Sequence, residues 1–176
     1  QTNMNINEVS RNLASQASGT ALGSHPPVHP KDHVNRAPST NDVFPAAIHV
    51  AAAKHLKEEL LPALDALVQA LDAKAQAWMP IVKIGRTHLQ DAVPLRLGDE
   101  VAAWRDQLKQ AQAWLEDCLV SLGDLPLGGT AVGTGLNTPP GFRHAVADEL
   151  SRVAGVDVHP ADNLFAVMAG HDALVQ

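Results

Sequence analysis

The feature that most constrains the fold is a heptad-like repeat of apolar residues in the second half of the chain. From Leu97 to Cys118 these residues recur at alternating steps of four and three. That spacing aligns side chains along one stripe of a long α-helix. The members after Leu97 are Val101, Trp104, Leu108, Ala111, Leu115 and Cys118. The repeat therefore predicts a long helix that packs in a bundle of helices.

Leucines indicate a second long helix earlier in the chain. It is predicted to begin after Ser39–Asp42, where short polar side chains can cap a helix, and to run to about Trp78. Its apolar stripe consists of Leu56, Leu60, Leu64, Leu67 and Leu71. Because proline cannot donate a backbone hydrogen bond, Pro62 is expected to kink this helix.

Two shorter helices complete the pattern. The first covers residues 3–17, with Met4, Val9, Leu13 and Ala17 at roughly helical spacing. The other is predicted to open at Thr138 and Pro139 and to end at Gly155. The proline-rich stretch Gly19–Pro38 between the first two helices is expected to be a loop. Since no segment has convincing period-two alternation, the predicted fold class is all-α, a bundle of long helices.

Composition excludes several classes of protein. The chain has 176 residues, of which 45% are apolar and 18% charged, and its net charge of −6 argues against general nucleic-acid binding. No apolar run approaches the roughly 18 residues that a membrane-spanning helix needs, so no membrane partner is expected. A single cysteine, Cys118, excludes an internal disulfide and a multi-cysteine zinc site.

The two ends of the chain suggest a longer polypeptide. It opens at Gln1 without a methionine, and it stops at Gln176 within a stretch of helical composition that has no stop signal. We therefore expect this chain to be an internal piece of a larger protein.

The segment KIGRTHLQDAVPL, residues 83–95, concentrates polar chemistry between the two long helices. We expect it to be an exposed connecting loop. Imidazole titrates near neutral pH, so His88 is a candidate general acid or base. An isolated loop histidine more often makes one structural hydrogen bond. Its polar neighbours, among them Arg86, Thr87 and Asp91, bring the two interpretations close to even.

The segment HPPVHPKDHVN, residues 25–35, superficially resembles a metal site. Its candidate ligands are His25, His29, Asp32 and His33. Prolines make a helix unlikely over most of this stretch, so the histidines would not share one helical face, and no metal is predicted. Rigid polar groups of this kind suit an anion or carboxylate better, although a solvated loop is the simpler alternative.

Two other polar segments have ordinary structural explanations. Ser39, Thr40 and Asn41 stand at a helix start, where free N–H groups favour anions, but such residues are also ordinary caps. The glycine-rich segment GGTAVGTGLNTP, residues 128–139, does not match either nucleotide-binding glycine motif. Its glycines are expected to let a loop pass close to other backbone or to a ligand.

Three separated segments together resemble the fumarase/aspartase superfamily. They are HPKDHVNRAPSTNDVFP, KIGRTHLQDAVPL and LGGTAVGTGLNTPPGF, and the resemblance extends over essentially the whole chain. The aspartase branch usually carries Gln where this chain has His88, so the resemblance favours the class II fumarase branch. It implies a partial helical bundle. Residues 1–38 would end the N-terminal domain with a substrate-site loop, and residues 39–176 would form the first half of the central helical domain.

The resemblance also implies roles for individual residues. His88 would be the catalytic acid/base group, and Thr87 a ligand of a substrate carboxylate. Ser39, Thr40 and Asn41 would bind substrate carboxylate and hydroxyl groups. His29, Lys31 and Asp32 match a loop that forms a second dicarboxylate site in some members, although Lys31 stands where Asn is common.

The activity implied is the reversible hydration of fumarate to L-malate, with no cofactor and no metal. The assembly implied is a homotetramer whose sites are shared between subunits, in the cytoplasm or, in a eukaryote, the mitochondrial matrix. Aspartate ammonia-lyase and a non-catalytic helical scaffold are the alternatives. The family's downstream loop, which carries a Ser base and a Lys, is absent from these residues, so we expect the isolated 176-residue chain to be inactive.

Overall fold

The computed structural model describes residues 2–23 and 27–176. The chain forms two compact units, one of Gln1–Ala52 with Leu122–Gln176 and one of Ala53–Ser121. The helices are α1 (Thr2–Ala17), α2 (Thr40–His55), α3 (Leu61–Ala77), α4 (Leu97–Gly123), α5 (Phe142–Ala154), α6 (Leu164–Ala169) and α7 (Asp172–Val175), with π-helical turns at Pro30–Val34 and Leu56–Leu60. The strands are β1 (Val82–Thr87), β2 (Gln90–Arg96), β3 (Asp124–Leu125) and β4 (His159–Pro160).

The predicted helices are all present, and the all-α fold class is confirmed. The long leucine-rich segment consists of α2, a π-helical turn and α3, and it ends at Ala77. The π-helical turn lies just before Pro62, which occupies the first turn of α3 where its missing N–H is tolerated. The regular helix is therefore interrupted next to the proline that was expected to disturb it.

The connection between α3 and α4 is a β-hairpin, so the expected loop and the expected absence of strands were wrong at this point. Strands β1 and β2 pair antiparallel, from Val82 opposite Arg96 to Thr87 opposite Gln90. The register is irregular at Gly85, where an added Cβ would lie 2.8 Å from the Val93 carbonyl oxygen. A bulge moves the side chains that follow it to the opposite face of the hairpin. Apolar and polar residues therefore do not alternate regularly along these strands, and the sequence pattern did not predict them.

In the second unit, α3 packs against the start of α4 through a glycine. A Cβ built on Gly98 would lie 2.5 Å from the carbonyl oxygen of Ala75. Ala75 and Val101 are almost completely buried, at 1% exposed each. Arg105 on α4 also donates a hydrogen bond to Asp72 on α3. Small residues thus let the two backbones approach, and an ion pair extends the contact along the helices.

The apolar repeat of α4 is only partly buried within one chain. Val101 is buried, and Leu108, Ala111, Leu115 and Cys118 are half-buried. Trp104, in contrast, is 50% exposed. A large aromatic side chain left half in solvent indicates a surface with room for further packing.

Helix α1 is confirmed, but its apolar residues face outward. Val9 is 57% and Leu13 60% exposed, whereas the polar residues Asn7, Arg11 and Ser15 are buried. The helix lies against the π-helical turn Pro30–Val34. Helical spacing therefore predicted the helix correctly but not the direction of its apolar side.

In the first unit, the core surrounds a short parallel pair of strands. The Asp124 carbonyl contacts Nδ1 of buried His49 at 3.1 Å, and Ala161 donates its N–H to the Leu125 carbonyl at 3.0 Å. The buried apolar side chains of this unit are Ala46, Leu122, Leu125, Leu127, Ala147, Val156, Val158, Ala161 and Leu164. This core supports the glycine-rich loop that follows β3.

Helix α5 ends where the sequence predicted. Gly155 caps it in the left-handed region, with φ of 70°. The Ser151 hydroxyl then donates to the Val158 carbonyl and accepts from the Val158 N–H, at 3.0 Å each. Among the helices of the described ranges, none is long and apolar enough to cross a membrane.

Candidate active site

Thr87 and His88 lie at the tip of the β1–β2 hairpin. Thr87 pairs with Gln90, so His88 and Leu89 form a two-residue turn. Their φ angles are 47° and 63°, both positive, as in the type I′ turns that two-residue hairpins favour. The sequence lacks the Asn-Gly signal of such a turn, which explains why the hairpin was missed. The turn presents His88 to solvent on a backbone held by strand pairing.

Two ion pairs support the hairpin below this tip. Arg86 Nε lies 3.2 Å from Asp91 Oδ1 across the two strands. Nearer the base, Lys83 Nζ lies 2.6 Å from Glu100 Oε2 at the start of α4. Within the described residues the His88 imidazole takes part in no hydrogen bond or ion pair. It is therefore available to a ligand or to another chain.

Ser39, Thr40, Asn41 and Asp42 form a capping box at the start of α2. The Ser39 hydroxyl accepts the Asn41 N–H at 3.3 Å, and Asp42 Oδ1 accepts the Ser39 N–H at 2.8 Å. This reciprocal pattern is the one that a Ser-x-x-acid sequence predicts. The ordinary capping interpretation of Ser39 is thus correct, yet its hydroxyl proton remains free to donate to a ligand.

Asp42 also joins the start of α2 to the glycine-rich loop. Its other oxygen, Oδ2, accepts the N–H of Gly128 at 3.0 Å and the N–H of Thr130 at 2.9 Å. Beside this contact, the Asn41 side-chain amide donates to the Ala131 carbonyl at 2.8 Å. Asp42 is completely buried. Asp42 was not among the candidates from the sequence, and nothing in the sequence signals its contacts with the loop.

The glycine-rich loop is held in an unusual conformation. Thr130 has φ of 58° although it is β-branched and 5% exposed. A Cβ on Gly128 would lie 2.7 Å from Arg143 Cβ, and one on Gly133 would lie 2.8 Å from the Phe165 ring. The glycines therefore let side chains of α5 and α6 approach the loop, whereas the expected neighbours were other backbone or a ligand.

The start of α1 lies beside the start of α2. Asn3 Nδ2 donates to Thr40 Oγ1 at 3.2 Å. Both helices point free N–H groups and the positive ends of their dipoles from their first turns, which favours an anion nearby. Asn3 was not among the candidates from the sequence, because an asparagine in the first turn of a helix carries no distinctive signal.

The residues of the second candidate site interact mainly with one another. His29 Nδ1 lies 2.9 Å from Asp32 Oδ2 and also 3.2 Å from the Asp32 N–H. His29 Nδ1 also accepts the Lys31 N–H, at 3.3 Å, and so caps the turn that follows. Lys31 is exposed, and its amine has no partner in the described part of the chain.

Pro30–Val34, within the histidine-rich segment, forms a π-helical turn rather than the expected loop. His29 caps this turn, and His33 Nδ1 accepts the His29 N–H at 2.8 Å. His25 lies outside the described residues, as does Pro26. Within residues 2–23 and 27–176, no group of three His, Cys, Asp or Glu side chains is arranged to hold a metal ion.

A cavity of about 810 Å³ lies between this turn and the start of α5. His33 and Arg36 line it on one side, and Phe142 and Val146 supply apolar surface on the other. His29, Lys31 and Asp32 do not line it. The structure thus separates this cavity from the three residues of the expected second site.

The main candidate residues fall in different compact units. Thr87 and His88 belong to the unit Ala53–Ser121, whereas Ser39, Thr40 and Asn41 belong to the other unit. The first group offers an imidazole and a hydroxyl on a hairpin, and the second offers hydroxyl and amide groups at a helix start. Neutral donors and a proton carrier are the groups that acid/base chemistry on a carboxylate substrate requires.

A fold alone does not define a reaction, but these groups on a helical scaffold suit a lyase, and comparison with known families agrees. The model of the family described as Lyase matches residues 1–176. The chain belongs to this lyase family. The resemblance to the fumarase/aspartase superfamily seen in the three sequence segments is thereby confirmed.

Curated relatives and solved structures agree with this assignment. The chain is 68% identical to the class II fumarate hydratase of Parasynechococcus marenigrum (strain WH8102), covering all of this chain and 38% of that protein. It is 52% identical to the mitochondrial fumarate hydratase of Danio rerio, covering all of this chain and 35% of that protein. The chain thus spans little more than a third of the length of these relatives.

Among solved structures, the crystal structure of the class II fumarase of Schistosoma mansoni superposes with a TM-score of 0.91 at 38% identity, covering 99% of this chain and 40% of that one. A fumarate lyase:delta crystallin from Brucella melitensis, bound to cobalt, superposes with a TM-score of 0.92 at 36% identity, covering 99% of this chain and 38% of that one. The helical architecture described above is therefore that of the fumarate lyases.

Proposed function

We propose that the protein containing this chain is a class II fumarate hydratase, which adds water to fumarate to give L-malate and catalyses the reverse reaction. The observation that carries the proposal is the 68% identity, over the full chain, to a relative named as that enzyme. The His88 imidazole on the hairpin tip and the donor groups at the start of α2 support it chemically.

His88 is the proposed acid/base group. Hydration requires one group to manage the water that adds at C2 and another to move the proton at C3. An exposed imidazole without an intramolecular partner in the described residues is free to exchange protons with a bound water. Thr87, next to it in the hairpin, is the proposed ligand of a substrate carboxylate.

Ser39, Thr40 and Asn41 are the proposed ligands for the other polar groups of the substrate. Their hydroxyl and amide donors lie at the start of α2, where the helix dipole favours negative charge. Charge builds up on a substrate carboxylate when a proton leaves C3, and fixed donors stabilise that charge. Neutral donors allow a dianion to bind even though the chain has a net charge of −6.

The assembly is proposed to be a homotetramer in which different subunits complete each site. The support is the half-exposed Trp104 on the apolar repeat of α4, together with a candidate acid/base group exposed at a hairpin tip. In this proposal residues 1–38 end an N-terminal domain, and residues 39–176 form the first half of a central helical domain. The compartment is proposed to be the cytoplasm or, in a eukaryote, the mitochondrial matrix.

The proposal includes a second dicarboxylate site at His29, Lys31 and Asp32. Lys31 has an exposed amine that can bind a carboxylate. The Asp32 carboxylate, 2.9 Å from His29 Nδ1, disfavours an anion at this position. Binding of succinate to a Lys31→Ala variant tests it: unchanged stoichiometry and affinity would remove this site.

The test of the main proposal is a turnover assay on the full-length protein. The ultraviolet absorbance of fumarate's conjugated double bond should fall as L-malate forms, and malate should regenerate it. The same preparation is assayed with L-aspartate for release of ammonia. Turnover of aspartate alone would identify an ammonia-lyase, and turnover of neither substrate would indicate a non-catalytic helical scaffold.

A further inference from the structure

Asp42 is a completely buried acid that the proposed mechanism does not use. Three backbone N–H groups point at its carboxylate, those of Ser39, Gly128 and Thr130. Two of these donors belong to a loop that lies 86 and 88 residues further along the chain. One side chain therefore holds both the start of α2 and the glycine-rich loop.

We propose that Asp42 is a positioning residue for the candidate substrate ligands Ser39 and Asn41, an inference that rests on the proposed function. Oδ1 fixes the backbone of Ser39, whose hydroxyl accepts the Asn41 N–H. Oδ2 fixes the loop at Gly128 and Thr130, and the carbonyl of the next residue, Ala131, accepts the Asn41 side-chain amide. Asp42 thus determines both contacts that orient Asn41.

The strained backbone of Thr130 explains why the loop needs the hydrogen bond to Asp42. A β-branched residue with positive φ is strained, and it keeps that conformation only where the surroundings hold it. The Asp42 carboxylate accepts the Thr130 N–H and keeps the residue in place. Without that acceptor, Thr130 would relax and the Ala131 carbonyl would move with it. The Asn41 amide would then lose the partner that fixes its direction.

Asp42 is expected to affect catalysis through the positions of the donor groups on Ser39 and Asn41. Donors stabilise a developing charge only when they are already aimed at it, and a displacement of about 1 Å can cost on the order of 10²-fold in rate. Asp42 has no exposed surface and so does not contact substrate. Its influence must pass through Ser39 and Asn41.

The first test is Asp42→Asn in the full-length protein. An amide has one acceptor oxygen instead of two, so it can still accept from the loop but turns an NH₂ group toward the Ser39 N–H. We expect kcat per folded tetramer to fall by about tenfold to 10²-fold, with a rise in KM for fumarate. Asp148→Asn is the matched control, because Asp148 is exposed and has no ion pair within the described residues.

The rate must be normalised to folded tetramer, measured by near-ultraviolet circular dichroism and light scattering. A purely structural role would lower the amount of folded protein without changing kcat or KM of what remains. Wild-type kcat and KM in folded Asp42→Asn would overturn the proposal. A wild-type protein without turnover would instead remove the proposed function, and this inference with it.

A second measurement covers the case in which the variant does not fold. Amide hydrogen exchange of residues 127–131 is followed in the wild-type protein with and without saturating succinate as a non-reacting dicarboxylate. If Asp42 connects the loop to the ligand-binding helix start, succinate should slow exchange of the Gly128 and Thr130 amides several-fold. Exchange that succinate leaves unchanged would overturn the proposal.

Discussion

The side-chain amide of Asn41 donates a hydrogen bond to the Ala131 carbonyl at 2.8 Å, across 90 residues of chain. This contact commits one N–H of the amide and leaves the other N–H, with the amide oxygen, for a ligand. The free N–H is aimed by a contact with the loop rather than by the helix alone. Asn41 is therefore a candidate donor with a fixed direction.

Replacing this donor with a charge should weaken substrate binding. Asn41→Asp removes the N–H that meets a carboxylate and adds a negative charge beside a dianion, so KM for fumarate should rise about tenfold or more. Initial rates over a range of fumarate concentrations give KM. Asn137→Asp is the control, because position 137 is exposed and aspartate also tolerates its positive φ of 72°. Equal KM in both variants would exclude Asn41 as a ligand.

Removing the imidazole of His88 should lower kcat by about 10²-fold or more in the full-length enzyme, the scale of one acid/base group. Asparagine is the replacement of choice, because it tolerates the positive φ of 47° at the turn and so preserves the hairpin. Steady-state kinetics measure the effect, and His55→Asn, at an exposed position on α2, is the control. A near wild-type kcat would exclude His88 from the mechanism.

A methyl group at Gly98 should destabilise the helical unit formed by α3 and α4. The new Cβ would lie 2.5 Å from the Ala75 carbonyl oxygen and 2.8 Å from the backbone of Met79, and backbone atoms cannot move aside easily. We expect Gly98→Ala to lower the free energy of unfolding by about 2–3 kcal/mol. Urea denaturation measures the change, and Gln110→Ala on the exposed side of α4 is the control. If Gly98→Ala and the wild-type protein unfolded at the same urea concentration, the two helices could move apart without a loss of stability.

A charge on the apolar repeat of α4 should disrupt assembly. Leu108 is half-buried in one chain, and Leu108→Asp would have to bury a carboxylate against apolar neighbours of another subunit. Light scattering of the full-length protein should detect dissociation of the tetramer. Gln107→Asp adds the same charge at the adjacent exposed position and should leave the assembly intact. A tetramer in both variants would mean that Leu108 faces no partner.

The ion pair between Glu149 and Arg152 on α5 predicts how its contribution to stability depends on pH. The hydrogen bond from Arg152 holds the pKa of Glu149 below its ordinary value. A lowered pKa in the folded state adds stability above the ordinary glutamate pKa, and that stability is lost as pH falls through the lowered value. Arg152→Gln should raise the pKa of Glu149 toward the ordinary range. NMR titration of the Glu149 carboxyl carbon tests this, with Arg143→Gln as a control that should cause no change.

The sequence by itself determined the positions of the helices. The three-and-four spacing predicted α4, and the leucine stripe predicted α3. The polar residues at 39–42 predicted the start of α2, and Gly155 predicted the end of α5. The short polar residues at 39–42 likewise predicted a helix cap, which Ser39 supplies. Each of these features depends on residues no more than a few turns apart, so local spacing carries the information.

The tertiary structure decided the contacts that no local pattern encodes. Asp42 meets Gly128 and Thr130 only because the chain returns to the start of α2 after 86 residues. The hairpin at His88 forms without a turn signal, because strand pairing between residues 82–87 and 90–96 compensates for two strained residues. Helical periodicity also could not predict that the polar side of α1 is the buried one. The spacing of apolar residues is the same whichever side of the helix packs against the rest of the chain. Long-range packing, rather than local preference, fixes these features.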